Sequence, residues 1–460
     1  MKNKLFYILL SVLILILCLA FPTFTIAQLI ATGGQHSMFL CDDGKVNDWG
    51  ADMSGQLGNG TGTSNIPVAV MLLNNVTNIG AGVDHSLALK SDSTVWAWGF
   101  NSNGELGNGT FISSNTPVQV TGLTGVSAIS SMFHSLALRN DSSVYAWGYN
   151  VYGELGNGTT ASSNIPIQVS GLSGITHIAS GYYHSLAIKS DSSVWSWGYN
   201  GAGELGNGTN INSSIPVQVS GLTGIIAVAG GNSFSIALKN DSTVWAWGNN
   251  FEGELGNGIN VNSNIPIQVS GLSSVVAIGA GVYHSLAVKN DGSVWSWGFN
   301  LYGQLGNGNN SDSNIPVQIN VLTGIVACAG GYGHSLVKKN DGTGWAWGYN
   351  NYGQLGNGNN SDSNVPTQVT GLCSTLISVN QITEIDKISV FPNPFKNTFS
   401  VIGTKGKAII SIFDITGKEI SMQIADKGET QINNADIQPG FYFLKYMQGN
   451  KMSTIKLMKL

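Results

Sequence analysis

The chain has 460 residues, of which only 10% are Asp, Glu, Lys or Arg, while 61 are Gly. Sparse charge, abundant glycine and the lack of a long helical pattern point to an all-β protein with many tight turns. Residues 28–379 hold 8 Lys and Arg against 18 Asp and Glu, net −10, whereas residues 380–460 hold 10 against 7, net +3. The acidic body repels phosphate backbones, so nucleic acid is excluded as an expected partner.

The chain opens on a secretory signal, residues 1–27. Lys2 and Lys4 precede an apolar run from Leu5 to Ala20, and Thr25-Ile26-Ala27 places small residues for cleavage before Gln28. The cleavage site argues for a signal over a membrane anchor and leaves no transmembrane segment in the mature chain. Cys41, Cys328 and Cys373 remain after cleavage. An odd number is not a complete disulfide framework, and the spacing is too wide for a local metal knuckle. Whether any of the three pair stays open; Cys328, inside I-V-A-C-A-G, reads as a small core residue.

From Gln28 onward the sequence repeats. The motif G-[QE]-L-G-N-G begins at Gly55, Gly104, Gly153, Gly203, Gly253, Gly303 and Gly353, in steps of 49 or 50 residues. A fixed period of this length marks a stacked array or a propeller. In the fourth unit an apolar run, Ile175 to Gly181, is followed by the alternating H-S-L-A-I-K from His184. Asp191-Ser192-Ser193 makes a turn, Val194 to Gly198 alternates again, and Ile215-Pro-Val-Gln-Val219 reads as a strand with Pro at its start. Four short strands bury neither face alone, so the units are expected to stack radially and close into a ring. The prediction is a seven-bladed β-propeller over residues 28–374, closed by both chain ends. The phase of the repeat suggests that Leu29 to Cys41 completes the last blade, pairing beside Gly344 to Gly348.

The string H-S-L-A-L-K-x-D-x-x-V-W-A-W-G-x-N-x-x-G-[QE]-L-G-N-G-T resembles the repeat of the regulator of chromosome condensation superfamily in its bacterial form, from Leu29 to about Leu372. The resemblance implies a seven-bladed propeller. Members include a nuclear guanine-nucleotide exchange factor and secreted bacterial inhibitors of β-lactamase, and it implies binding of protein through loops on one face, without a cofactor. No long insertion interrupts the repeats to act as an exchange wedge.

After a linker at 375–385, residues 386–460 change character. Val390-Phe-Pro-Asn-Pro-Phe395, Ile409 to Gly417, Ile437 to Tyr446 and Lys456 to Leu460 alternate apolar residues between turns, as in a small β-sandwich. The F-P-N-P start, the G-F-Y-F strand and the Lys-rich last strand resemble the C-terminal sorting domain of the type IX secretion system of Bacteroidetes. That resemblance implies export across the outer membrane, a secreted or cell-surface location, and the secretion machinery as a partner.

Residues present in nearly every unit read as building parts. His36, His85, His134, His184, His284 and His334 share one position, with Phe234 in the seventh unit. Such a ring of imidazoles spreads too widely to share a metal. The twelve Trp keep a fixed register and read as packing between blades. Glu105, Glu154, Glu204 and Glu254 alternate with Gln56, Gln304 and Gln354, an exchange no catalytic acid tolerates. No catalytic triad, paired-acid set, phosphate loop or calcium loop is present, so no catalytic residue, metal or cofactor is expected.

Two places vary. The pair before the His holds Asp84, Met132, Phe133, Tyr182, Tyr183, Tyr283 and Tyr332; the loop after W-G holds Tyr152, Phe251, Glu252, Tyr302 and Tyr352. Variable, aromatic-rich loops on a fixed frame present a recognition surface. These residues are expected exposed or half-exposed on one rim. The sequence thus reads as an exported, non-enzymatic scaffold binding a protein, with a cell-surface glycan as the alternative ligand and a polysaccharide-acting enzyme as the weaker rival.

Overall fold

The computed structural model describes residues 29–373 and, apart from 405–406, 415–418, 427, 434–435 and 449–450, residues 389–460. The signal (1–27) and the linker (375–385) lie outside the described residues. The chain forms two compact units, Met1–Cys373 and Ser374–Leu460.

The first unit is a ring of seven four-stranded antiparallel sheets, each built from one contiguous stretch of chain. In the fourth blade the strands are Ile175–Ser180, His184–Lys189, Val194–Gly198 and Ser213–Gln218. They pair in that order, with an irregular register between Ile175 and His177. The second strand is buried except for its last Lys. The fourth, with Pro216, is half-exposed at the blade's edge, where a missing N–H costs no ladder bond. His177 is half-buried and bonded locally to the Thr176 hydroxyl at 3.1 Å.

Burial is achieved between blades. The Trp before the last Gly of each third strand is fully buried and enters the core of the preceding blade. Trp98 packs with Met38, Leu40, Val46 and Val70 of the first blade, and Trp49 packs with Leu336, Leu355 and Val369 of the last. Where the strand holds an earlier Trp it is half-buried, and Trp96, Trp195 and Trp295 each take a Lys over the ring, as Lys189 does over Trp195 at 4.5 Å.

The two chain ends do meet, but no blade is shared between them. Ile30–Thr32 pairs with His36–Leu40, which pairs with Val46–Gly50, all within the first blade. Gly344–Gly348 already lies between His334–Lys339 and Ser363–Gln368. The expected strand exchange is therefore corrected. The apolar run before each His-Ser strand opens its own blade, so Leu29 to Cys41 supplies two strands of the first blade and the last is complete without it. Closure is lateral. Ser37 bonds to His334 at 2.9 Å, Gly358 N–H donates to Asn65 O at 2.9 Å, and a Cys41–Cys373 disulfide spans 332 residues of sequence. Cys328 is the one free thiol among the described residues.

The second unit has a three-stranded sheet (Ser389–Phe391, Thr398–Thr404, Gly428–Asn433) and a four-stranded sheet (Glu419–Ala425, Ala408–Phe413, Gly440–Gln448, Lys451–Lys459). Phe395, Phe399, Ile410, Leu444 and Leu457 fill the core between them. The F-P-N-P motif docks on the last strand: Asn393 Nδ2 donates to Lys456 O at 2.7 Å and Met458 N–H to Asn393 Oδ1 at 2.9 Å. No helix among the described residues is long and apolar enough to cross a membrane.

Candidate functional site

The repeated polar residues form the joint between blades. The backbone carbonyl of Glu154 receives two donors from the next blade, Ser185 Oγ at 2.9 Å and Trp197 Nε1 at 2.7 Å. His134 Nε2 then meets the same Ser185 oxygen at 2.6 Å. A hydroxyl has one proton, and here the carbonyl takes it, so the imidazole donates through Nε2–H. The ring is held neutral: burial pushes His134 down to about 3, and the neighbouring His184 and His85 push the same way. A Cβ at Gly181 would overlap the His184 imidazole, which explains the glycine three residues before this His. The same triad of His, Ser and carbonyl recurs around the ring and across the closure, where Gln354 O holds Ser37 and Trp49. The His residues are structural, and Phe234 marks the one joint without an imidazole.

The Glu and Gln side chains of the motif are buried as well. Glu154 Oε2 accepts the Tyr152 N–H at 2.9 Å, as Gln304 Oε1 accepts that of Tyr302 at 3.0 Å. The shared acceptor explains why Glu and Gln interchange. Burial lifts the carboxyls of Glu154, Glu204 and Glu254 to about 7. The Asn of W-G-x-N, given no role in the sequence reading, closes the same loop: Asn150 Oδ1 accepts Leu155 N–H at 2.9 Å and its amide donates to Ala161 O at 2.8 Å.

Antiparallel pairing places the hairpin before the His and the loop after W-G at the same end of each blade. The structure joins the two sets of variable residues there in two aromatic patches. Over blades three and four, Phe133 stacks on Tyr183 (centroids 5.0 Å, 13°), Tyr152 meets Tyr183 edge-on at 5.6 Å, and Tyr152 reaches Tyr199 of the next blade at 4.9 Å. Over blades six and seven, Tyr283 meets Tyr332 at 6.1 Å and Tyr302 meets Tyr349 at 4.8 Å, with Tyr352 beside Tyr349 at 6.4 Å. Such edge-on and offset contacts are the preferred aromatic arrangements.

Several expectations need amendment. Met132 and Tyr182 are not exposed; each is 8% accessible and packs with Val282, against the half-buried Val83, Phe133, Tyr183 and Tyr283. In Met132-Phe133, Tyr182-Tyr183 and Val282-Tyr283 the first residue turns inward and the second forms the rim, whereas in Tyr332-Gly333 the order is reversed. Tyr332, at 37%, is exposed as expected. Phe251, at 69%, projects alone, with no aromatic ring contact among the described residues. Asp84 is half-buried near Gln56, and Glu252 is half-buried near Asp312, both carboxyls raised first of all by burial. Tyr149, Tyr199, Phe299 and Tyr349 complete the patches from the position directly after W-G, which is aromatic in five of the seven repeats, Phe100 included.

Below the rim, the ring encloses a cavity of about 270 Å³ lined by the first strands, including Ala179, Ala229, Gly279 and Cys328, with Met132 at its wall. Its wall offers Ser and Thr hydroxyls and one thiol, pushed by burial to about 12, but no carboxylate, imidazole or amine. Among the described residues no group of three or more His, Cys, Asp or Glu is arranged to hold a metal.

The architecture defines a seven-bladed β-propeller followed by a small β-sandwich. The chain belongs to the RCC1-like domain family, whose model matches residues 15–320. A regulator of chromosome condensation (RCC1) repeat matches residues 341–383, and a secretion system C-terminal sorting domain matches residues 389–459. Among solved structures, the chain is similar to yeast RCC1 (Prp20) in the complex with Kap60, at 23% identity and TM-score 0.66, over 73% of this chain and 86% of that one. It is similar to Saccharomyces cerevisiae Prp20p, described with its binding to Gsp1p and histones, at 24% and 0.65 over 73% and 88%. Human WBSCR16 follows at 25% and 0.62 over 68% and 86%. The two yeast likenesses establish fold alone. No curated protein matches the chain. The sorting domain marks this propeller for secretion or export to the cell surface through the type IX system.

Proposed function

We propose that the protein is an exported, non-enzymatic binding scaffold that docks a protein partner on its aromatic rim, reaching the periplasm by its N-terminal signal and crossing the outer membrane by its C-terminal sorting domain. One observation carries this reading: the positions that vary between repeats converge into two half-buried aromatic patches at one end of an otherwise constant ring. Rigid Tyr and Phe side chains supply contact area with few rotors to fix. The channel wall, lacking acids and bases, speaks against an enzyme centre there.

The test uses full-length protein as bait in the native medium, alongside Tyr183→Ala and Tyr302→Ala. A protein retained by the parent and lost from both variants, with melting unchanged, supports the reading. Partners retained equally by all three, or displaced by a neutral oligosaccharide, would sink it. Export is tested separately: ending the chain at Val379 should leave the propeller folded and trap it in the periplasm. A truncated chain that still crosses the outer membrane removes the sorting role.

A further inference from the structure

The rim is chemically one-sided. All eight Lys and Arg of residues 29–373 lie at the turn between second and third strands, or at the strand end beside it, together with eight Asp. Those cations are engaged locally, in ion pairs such as Arg139–Asp141 at 3.1 Å or over rings such as Trp295. The opposite end, which carries the aromatic patches, holds nine Asp and Glu and no Lys or Arg. One end of the ring is thus balanced and the other wholly anionic.

Within that anionic end two motif carboxylates, Glu154 and Glu204, are left incomplete, and Glu154 is the one with a tyrosine at both positions that could supply an amide. In the second blade, Glu105 has both oxygens satisfied by Asn103, through its N–H at 2.9 Å and its amide at 2.7 Å. In the fifth, Glu254 takes the Glu252 N–H at 3.0 Å and the Asn249 amide at 2.7 Å. In the third blade the residues equivalent to Asn103 and Asn249 are Tyr152 and Tyr149. Neither ring replaces the amide. Glu154 keeps the Tyr152 N–H, but its Oε1 is fully buried with no hydrogen-bond partner. Burial of an unpaired carboxylate oxygen is unfavourable unless a positive group compensates it. The Glu154 carboxylate is tied to the patch by the Tyr152 N–H and lies within electrostatic reach of the phenols of Tyr149 and Tyr183.

We propose that the tyrosine patch of Tyr149, Tyr152, Tyr183 and Tyr199 seats a Lys or Arg side chain of the protein partner, with Glu154 beneath it as the counter-charge. This rests on the reading of the rim as a protein-docking surface and adds the chemistry of the contact. The electron-rich faces of the rings attract a cation, and the buried carboxylate strengthens the attraction where water is thin. The anionic rim steers a basic partner to this end and away from the balanced one.

The probe is Nα-acetyl-lysine methylamide, titrated into the full chain and followed by saturation-transfer NMR, with the norleucine analogue as its uncharged match. The lysine probe should bind, the norleucine probe should bind at least tenfold more weakly, and Glu154→Gln should weaken the lysine probe by about tenfold. Glu154→Gln is expected to fold, because Gln56, Gln304 and Gln354 hold this position in other blades. Equal binding of the two probes, or a lysine probe indifferent to Glu154→Gln, overturns the cation site without touching the docking reading, which Tyr302→Ala on the captured partner tests. Lysine binding through Glu154 with a partner indifferent to rim substitutions supports the site and removes the docking reading instead.

Discussion

The joints between blades and the rim above them are built from the same loops, yet one keeps its side chains and the other exchanges them. Glu154 belongs to both. Its backbone carbonyl holds Ser185 and Trp197 of the next blade, while its carboxylate accepts the N–H of Tyr152, one of a patch of tyrosines peculiar to its neighbourhood. A group bonded on several sides by a neighbouring blade has no freedom to change. A side chain that points out of the same loop has freedom, and there the repeats diverge. Stability and recognition are therefore separable in this ring, to within a few ångströms.

The largest expected effect tests the joint. Trp197→Ala removes a fully buried indole and leaves the Glu154 carbonyl with one donor fewer, so it should destabilise the propeller by about 3–5 kcal/mol in chemical denaturation. Unchanged stability would mean that the joints are not what holds the blades. At the rim, Tyr302→Ala should weaken binding of the captured partner by roughly 1–4 kcal/mol. Its melting temperature should stay near that of the parent. A variant that instead melts early while binding normally would reverse the division.

Asp48 sharpens the contrast from within the joint layer. It is fully buried, both oxygens lack partners, and burial raises its carboxyl well above the usual range. Other blades have Ala or Ser there, and Ser196 donates to Leu205 O at 2.7 Å. Asp48→Ser should stabilise the fold by about 1–3 kcal/mol. A raised carboxyl makes the folded state hold a proton that the unfolded chain releases above its ordinary range. The penalty in the parent therefore grows with pH, and the gain should be larger at pH 8 than at pH 5. A gain independent of pH would show that Asp48 titrates normally.

The smallest effect concerns the imidazoles. His184 is held neutral in the fold, down at about 3, against 6.5 when free. Its contribution is complete above 6.5 and is lost as pH falls toward 3, because only the unfolded chain takes up the proton. His184→Phe copies the natural joint at Phe234 and should cost about 1 kcal/mol or less at pH 7. It should also remove one proton from the slope of stability against pH between 6 and 4. An unaltered slope would place a charged His184 in the fold.

Much of this architecture was legible in the sequence, because a long motif repeated in register fixes strand count, turn position and which residues are structural. The closure was misread for a physical reason. A period gives the spacing of the units but not their phase, and only the pairing of Ile30–Thr32 with His36–Leu40 shows where a blade begins. The rim was legible as variation, but direction was not. Nothing in Met132-Phe133 or Tyr182-Tyr183 tells that the first side chain turns inward and the second outward. Tyr149, Tyr199, Phe299 and Tyr349 were hidden in the variable place of G-x-N, where only their recurrent aromaticity marks them. The disulfide between Cys41 and Cys373 needed the ring itself, which brings residues 332 apart to a Cα separation of 5.4 Å.

Because every blade is one contiguous segment, the ring has no privileged starting point. The connection between Cys373 and Leu29 could be made covalent and the chain reopened at any other blade boundary, such as Gly171 to Gly174, without parting a single hydrogen-bonded strand pair. The fold is thus open to circular permutation and to gain or loss of whole units by duplication. A gene encoding such a ring could change its binding face one module at a time while each hairpin keeps its partners.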